Sequence, residues 1–460
     1  MIPPRPVQPD GTVYGRQAVA TSHPLAVEAG AQMLREGGSA VDAAVAMAAA
    51  LTVVEPTSNG LGSDAFALVW DGSELHGLNG SGASPAALTR EQVGLAGETT
   101  FPVRGWLPVT VPGAPAAWHE LHAHFGKLRF ERVLEPAIRM AEDGHPVAPL
   151  VSQSWQRAAR VLGTLTGAAF AGWRETFMPD GRAPEPGDVW RAPGHAETLR
   201  RLAASGCRDL YTGELARRIH TFSRETGGLL RAEDLAPHHG EWVTPLSVSY
   251  RDTQLWELPP NGQGIVALQA LGLLERLDPP ESWDDARATH EAVEAIKLAF
   301  ADAEAHVADP RTMREEPQAF LEASYLNLRR AAIKSRAELR QTGLPQTGGT
   351  VFLVAADAGG MMVSFIQSNY MGFGSGVVVP GTGIALQNRG AGFSLEAGHP
   401  NQVGPSKRPF HTIIPGFLTR AGKPWGPFGV MGGHMQPQGH VQVARALVDL
   451  KSSPQSALDL

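Results

Sequence analysis

A single cysteine, Cys207, stands in 460 residues. One thiol excludes an intramolecular disulfide and any cysteine-built metal centre. Its surroundings, Ala-Ser-Gly-Cys-Arg-Asp, hold no histidine, so a structural thiol is expected in place of a nucleophile. Charge is also scarce: Asp, Glu, Lys and Arg make up 18%, the net charge is −7, and no basic block occurs. Nucleic acid and anionic membrane surfaces are therefore poor partners. Long hydrophobic runs are missing. The most apolar stretch, Ala40 to Val54, is about 15 residues, contains Asp42, and is too short to span a bilayer. Met1-Ile-Pro-Pro-Arg-Pro has no apolar segment behind it, so no signal peptide is visible and a cytoplasmic location is expected.

What is abundant is glycine (52) and proline (36), against 43% hydrophobic residues. That combination reads as a loop-rich enzyme with ample core. Residues 25–36 have helical spacing, Gly37-Gly38 ends that helix, and Ser39 caps the next. Residues 40–53 are apolar nearly all round and predict a buried helix. Ala65 to Trp70 predicts a core strand paired with Glu74 to Leu78. Residues 113–143 are helical with breaks, and 194–235 alternate short helices and loops. Strands are predicted at Leu246 to Tyr250 and Thr253 to Leu258, then helices at Ile265 to Glu275 and over 286–307. Residues 337–349 are polar and read as an exposed linker. Beyond it come strands, glycine-rich loops and a last helix, Val441 to Leu450. Helices, then a mixed middle, then a strand-rich end suit a layered α/β sandwich.

Several motifs invite chemistry and are weighed against plainer readings. Gly262-Gln-Gly264 follows a strand and opens a helix, as a dinucleotide fingerprint would. Its third glycine is Ala267 and a double proline precedes it, so helix capping is the plainer reading and a nucleotide-dependent oxidoreductase the alternative. His119-Glu-Leu-His122-Ala-His124 lacks the zinc-protease spacing, and His238-His239 has no partner carboxylate at fixed spacing. Phe373-Gly374-Ser375-Gly376 is no nucleophile elbow. Asn388-Arg389-Gly390 and Gly404-Pro-Ser-Lys407-Arg408-Pro409 place cations that suit a substrate carboxylate. Met431-Gly432-Gly433-His434 follows a strand-like segment, and paired glycines let backbone N–H groups approach a ligand as an oxyanion hole requires.

Gln346-Thr347-Gly348-Gly349-Thr350 stands at the mouth of the apolar run Val351 to Ala356. Asp357-Ala-Gly-Gly360 turns the chain, and Met361 to Gln367 returns it, a β-hairpin with Thr350 at its start. Cleavage between Gly349 and Thr350 would give Thr350 both a hydroxyl and a free α-amine, a nucleophile beside its own base. On local grounds alone, a threonine at a strand start is ordinary.

Taken together, the chain resembles the γ-glutamyltransferase family of N-terminal-nucleophile (Ntn) hydrolases, from about Gly15 to the end. The resemblance rests on Ala26-Val-Glu-Ala-Gly, Glu36-Gly-Gly-Ser-Ala-Val-Asp-Ala-Ala44, Val111-Pro-Gly-Ala114, Leu258-Pro-Pro-Asn-Gly-Gln-Gly264, Lys297-Leu-Ala-Phe-Ala-Asp302 and Gly404-Pro-Ser-Lys-Arg-Pro409. It implies an αββα four-layer sandwich and a precursor that cuts itself into two subunits. These would be residues 1–349 and 350–460, with Leu460 left open as an end. It implies Thr350 as nucleophile, Gly432 and Gly433 as oxyanion donors, and Asn369, Arg389, His411, Thr412 and His434 around the substrate. No metal or organic cofactor is implied, and the partners are a small-molecule amide, the two subunits of one precursor and a homo-oligomer.

The departures shift the expected substrate. Transferases of this family hold an α-carboxylate with an arginine; here Gly80-Ser81-Gly82-Ala83-Ser84-Pro85 has none. They hold the α-amine with an acidic residue; here Gly392 precedes Phe393-Ser394. Arg389 takes the place of a neutral amide and suits a bare carboxylate. Gly432 to His440 looks more like the amidohydrolase branch that includes oxamate amidohydrolase and acylase-like relatives. A small amide, γ-glutamyl-like or a simple carboxylate-bearing one, is therefore the expected substrate, with hydrolysis of a simple acid amide preferred. A true γ-glutamyl transferase or glutathione hydrolase and an unprocessed, non-catalytic member are the alternatives.

Overall fold

The computed structural model describes residues 11–98, 100–338 and 349–459. Two antiparallel sheets face each other. The first runs, in spatial order, Ala18–Thr21, Gly349–Ala356, Met362–Tyr370, Asp64–Trp70, Leu75–Gly80 and Glu241–Val243. The second runs Lys423–Phe428, Gly416–Arg420, Thr253–Glu257 and Leu246–Tyr250. Strand alternation sorts side chains to two layers. Phe66 and Leu68 join Ile366, Ile413 and Phe417 between the sheets, while Ala65, Ala67 and Val69 face a helical layer. That outer layer holds Pro24–Arg35, Ala40–Val54, Ala114–Phe125 and Phe130–Asp143. On the far side, Gly264–Leu274, Ala286–His306 and Gln436–Val448 cover the second sheet. Helix, sheet, sheet and helix make the expected αββα sandwich.

Ala40–Val54 is buried along its entire length. Ser39 and Asp42 close a reciprocal cap at its start, their side chains 3.1 and 2.8 Å from each other's backbone N–H groups. Asp357, at the hairpin turn, adds a third anchor: its carboxylate accepts the Ala40 N–H at 3.0 Å and the Gly359 N–H at 2.8 Å. The turn that positions the Thr350 strand is thereby tied to the core helix.

Several boundaries differ from the sequence reading. The helix read at Val441 to Leu450 runs Gln436–Val448, because Gly433–Met435 already forms a 3-10 turn leading into it, and it is not the last, since Pro454–Asp459 follows. The strands Ala18–Thr21, Glu241–Val243 and Gly416–Arg420 went unread; each has only three to five residues, too few to establish a period. The linker read at 337–349 lies mostly outside the described residues. The expected division at residue 350 would not separate the chain in space, since Gly349–Ala356 and Met362–Tyr370 lie between earlier strands of the first sheet.

Candidate active site

Thr350 is the second residue of its strand and is 6% exposed. The hairpin register pairs Gln367 with Val351, so one further step sets Ser368 across from Thr350. The Thr350 hydroxyl donates to Ser368 Oγ at 3.2 Å, and Ser368 donates to the Gly349 carbonyl at 2.7 Å. The Tyr370 N–H supports Ser368 Oγ at 2.8 Å. A register shift between Gln367 and Tyr370 then bends the strand, and Tyr370 takes φ +75°. A non-glycine residue in that region is held there by its surroundings and often marks a functional site.

Tyr370 leads to the charge in the site. Its ring lies 4.5 Å from the Arg389 guanidinium, a cation–π contact out of water. Arg389 is fully buried, and its Nη1 donates to Thr412 Oγ1 at 2.8 Å. Its Nε and Nη2 have no hydrogen-bond partner. Burial pulls its pKa down to about 10, a shift opposed first by Asp64. Asp64 is also fully buried; its Oδ2 meets His411 Nε2 at 3.1 Å and its Oδ1 accepts the Gly82 N–H at 3.3 Å. Gly82 admits no side chain, since a Cβ would sit 1.7 Å from the Val111 carbonyl oxygen. Burial raises Asp64 to about 7, against the pull of Arg389 and then of the Gly82 and Gly113 N–H groups. Burial, and secondarily the Arg389 charge, push His411 well below its usual range.

The Gly432-Gly433 segment follows Lys423–Phe428, an edge strand of the other sheet. Gly432 has φ +137° and Gly433 φ +62°, values that L side chains rarely adopt. Their N–H groups stand at the start of Gly433–Met435 and the Gln436–Val448 helix, where the helix dipole favours negative charge. Gln263 connects this loop to the cation: its amide donates to the Thr412 carbonyl at 2.6 Å and to the Gly433 carbonyl at 2.9 Å. An unbroken series of contacts thus runs Thr350, Ser368, Tyr370, Arg389, Thr412, Gln263, Gly433.

Of the residues proposed from sequence, this series holds Thr350, Arg389, Thr412 and Gly433, with Gly432 adjoining. His434 stacks on Phe410 at 5.9 Å and faces Phe300 at 6.2 Å; burial and then Arg389 lower its pKa. His411 has both nitrogens engaged, Nε2 with Asp64 and Nδ1 with the Ile413 N–H at 3.4 Å, so it braces Asp64. Asn369 Oδ1 accepts from the Ser63 hydroxyl at 2.8 Å, and its buried Nδ2 has no hydrogen-bond partner. Ser368, Tyr370, Asp64 and Gln263 were not read as site residues. Ser368 was legible, since hairpin parity places it opposite Thr350; the other three meet only through folding.

The plainer readings of the remaining motifs agree with their surroundings. Gly262-Gln-Gly264 opens the Gly264–Leu274 helix. His122 binds the Leu128 carbonyl at 2.8 Å and His124 the Glu120 carbonyl at 3.0 Å, so neither joins a metal cluster. Cys207 is 1% exposed and burial raises its pKa. Among the described residues, one metal-capable group gathers, Asp71, Glu74 and His76; the Asp71 carboxylate there already accepts the Ser73 and Glu74 N–H groups. No described helix is long and apolar enough to cross a membrane. A cup of about 610 Å³ lined by Arg311, Arg314, His399 and Lys407 includes none of the site residues.

The αββα sandwich with a threonine at the start of a central strand is the architecture of the Ntn hydrolases, enzymes of the amide-hydrolysing and acyl-transferring class. Comparison with known proteins makes this specific. The chain belongs to the gamma-glutamyltranspeptidase family, whose model matches residues 26–460. It is 39% identical over 429 residues to the oxamate amidohydrolase proenzyme of Klebsiella pneumoniae, covering 92% of this chain and 79% of that one. It is 35% identical over 447 residues to a glutathione hydrolase-like proenzyme of Bacillus subtilis, covering 96% and 84%. The crystal structure of cephalosporin acylase from Bacillus halodurans superposes with a TM-score of 0.94 at 50% identity, covering 100% of this chain and 86% of that one.

Proposed function

We propose that the chain is a proenzyme cut between Gly349 and Thr350 into a large subunit, 1–349, and a small subunit, 350–460, and that Thr350 then hydrolyses an amide whose acyl group carries a bare carboxylate. The observation that carries the reading is Ser368, which holds the Thr350 hydroxyl at 3.2 Å and the Gly349 carbonyl at 2.7 Å at once. Its O–H polarises the carbonyl that Thr350 Oγ would attack. In that step the Oγ–C bond forms, the Gly349–Thr350 C–N bond breaks, and the hydroxyl proton ends on the Thr350 nitrogen. Water then cleaves the ester, leaving a Gly349 carboxylate and a free Thr350.

The new α-amine is the base for turnover; free α-amines have pKa about 7.7–8.0, near working pH. Thr350 Oγ attacks the substrate carbonyl, the N–H groups of Gly432 and Gly433 receive the oxyanion, and the amine departs with the proton. Each such donor is worth roughly 3–4 kcal/mol in a comparable site. Water releases the acid. Arg389 supplies two unpaired, buried N–H donors, a match for a carboxylate. Ser81, where transferases carry arginine, is fully buried and turned to Asn79 at 2.7 Å, so it offers no cation. One relative is named for oxamate, itself a carboxylate-bearing amide.

N-terminal sequencing of the purified small subunit tests the reading, with Thr-Val-Phe-Leu expected beside two bands on a denaturing gel. A single persistent band of full length overturns maturation. Glutaryl-p-nitroanilide is expected to turn over faster than γ-glutamyl-p-nitroanilide; rapid γ-glutamyl transfer to a dipeptide acceptor would reverse the substrate assignment.

A further inference from the structure

We propose that Gln263 is a positioning residue that locks the oxyanion loop to the Arg389–Thr412 cation site, so that one side chain sets the distance between the substrate's carboxylate and its reacting carbonyl. The inference rests on the acyl-enzyme reading above and adds to it a residue that touches no reacting atom.

The geometry is specific. The Gln263 amide donates to two backbone carbonyls, Thr412 at 2.6 Å and Gly433 at 2.9 Å. Both partners are acceptors, so the end facing them must be the NH₂ group, and no ambiguity of amide orientation remains. Gln263 is completely buried, which strengthens both bonds and makes their loss costly. Its own backbone is fixed: the Gln263 N–H donates to the His411 carbonyl at 2.9 Å, and the His411 N–H donates to the Asn261 carbonyl at 2.9 Å. The 261–263 loop and the 411–412 segment are therefore zipped together, and the side chain extends that zipper to Gly433. Thr412 holds Arg389 Nη1 through its hydroxyl and Gln263 through its carbonyl.

Gly433 needs such a tether. At φ +62°, and with no side chain, it is held by its partners: the Gln436 N–H donates to its carbonyl within the 3-10 turn, and Gln263 adds the bond that reaches across to Thr412. Fixing its carbonyl fixes the peptide plane that follows it and limits the swing of the N–H that precedes it. A shift of about 1 Å in an oxyanion donor is enough to lose most of its effect.

The test uses matured enzyme, with active sites counted by burst titration, on glutaryl-p-nitroanilide and on uncharged valeryl-p-nitroanilide. Gln263→Leu removes the side-chain donor from both carbonyls and leaves Gly433 only the Gln436 N–H. The expected result is a fall in kcat of about 10- to 100-fold on both substrates, with KM for the valeryl substrate changed less than about threefold and the preference for the glutaryl substrate reduced. Gln263→Glu supplies a readout that a purely structural role would not move. Its carboxylate faces two carbonyl oxygens and repels them; once protonated it donates to one. The ratio of variant to wild-type kcat should therefore rise as pH falls from 8 to 5.5. Unchanged kcat per titrated site in Gln263→Leu, or a flat ratio in Gln263→Glu, overturns the proposal. If the wild type neither matures nor turns over either anilide, the acyl-enzyme reading itself fails, a different outcome from either variant result.

Discussion

The two ends of the site are built on opposite principles. At the nucleophile end, Thr350, Ser368 and the Tyr370 N–H are neutral groups on adjacent strands of one hairpin. At the cation end, Arg389, Asp64 and His411 are ionisable groups, all completely buried, drawn from segments more than 300 residues apart. Acyl transfer by a terminal threonine needs no charged neighbour at rest, because its base appears only on cleavage. Holding a carboxylate against water does need a buried cation, and a buried cation needs a partner. Asp64 is the acid whose attraction acts on Arg389, although burial outweighs that attraction and raises Asp64 to about 7. Asp64 and Arg389 lie on opposite sides of residue 350 in the sequence.

The contrast can be broken most sharply at Thr350. Thr350→Ala should leave a single band on a denaturing gel and cut amide hydrolysis by at least about 10⁴-fold, since a nucleophile's loss removes the unit it works in. Gly433→Ala forces a side chain into φ +62° and displaces the donor; kcat should fall about 10²- to 10³-fold with little change in KM. Arg389→Leu separates the two ends: turnover of glutaryl-p-nitroanilide, as kcat/KM, should drop about 10²-fold while a valeryl analogue is far less affected. Survival of the glutaryl preference would show that the cation end does not bind the acyl group.

Asp64→Asn sharpens the comparison through pH. Asp64 is raised in the fold, so it binds a proton there that the unfolded chain does not, and its contribution to stability grows as pH falls from about 7 toward 4. His411 is lowered, so its contribution is lost as pH falls below about 6.5. In the wild type the two oppose each other. Without Asp64 only the loss remains, and thermal scans between pH 6.5 and 4.5 should show a steeper fall in Tm than for wild type. The smallest effect belongs outside both ends: Cys207→Ala should cost about 1 kcal/mol or less in urea unfolding and leave turnover unchanged.

Composition and local pattern settled a good deal. The lone cysteine, the short apolar runs and the scarcity of charge set the class of protein. The buried helix at 40–54, the hairpin with Thr350 at its start, and the paired glycines at 432–433 were all legible, because each depends on neighbours within a few residues. The same hairpin register contains Ser368, which counting by twos would have found. The cation end was legible only in part. The resemblance placed Arg389 and Thr412 at the substrate, but nothing local marked Arg389 as buried or joined Asp64 to it. Gln263 looked like a helix cap between two glycines. What those residues do depends on the packing of one sheet against the other. Sequence therefore pointed to Thr350 through its hairpin position together with the family resemblance, and the chemistry proposed for it is local. Only the tertiary structure decided the cation site and its link to the oxyanion loop, because burial and distance between remote segments exist only once the two sheets have closed.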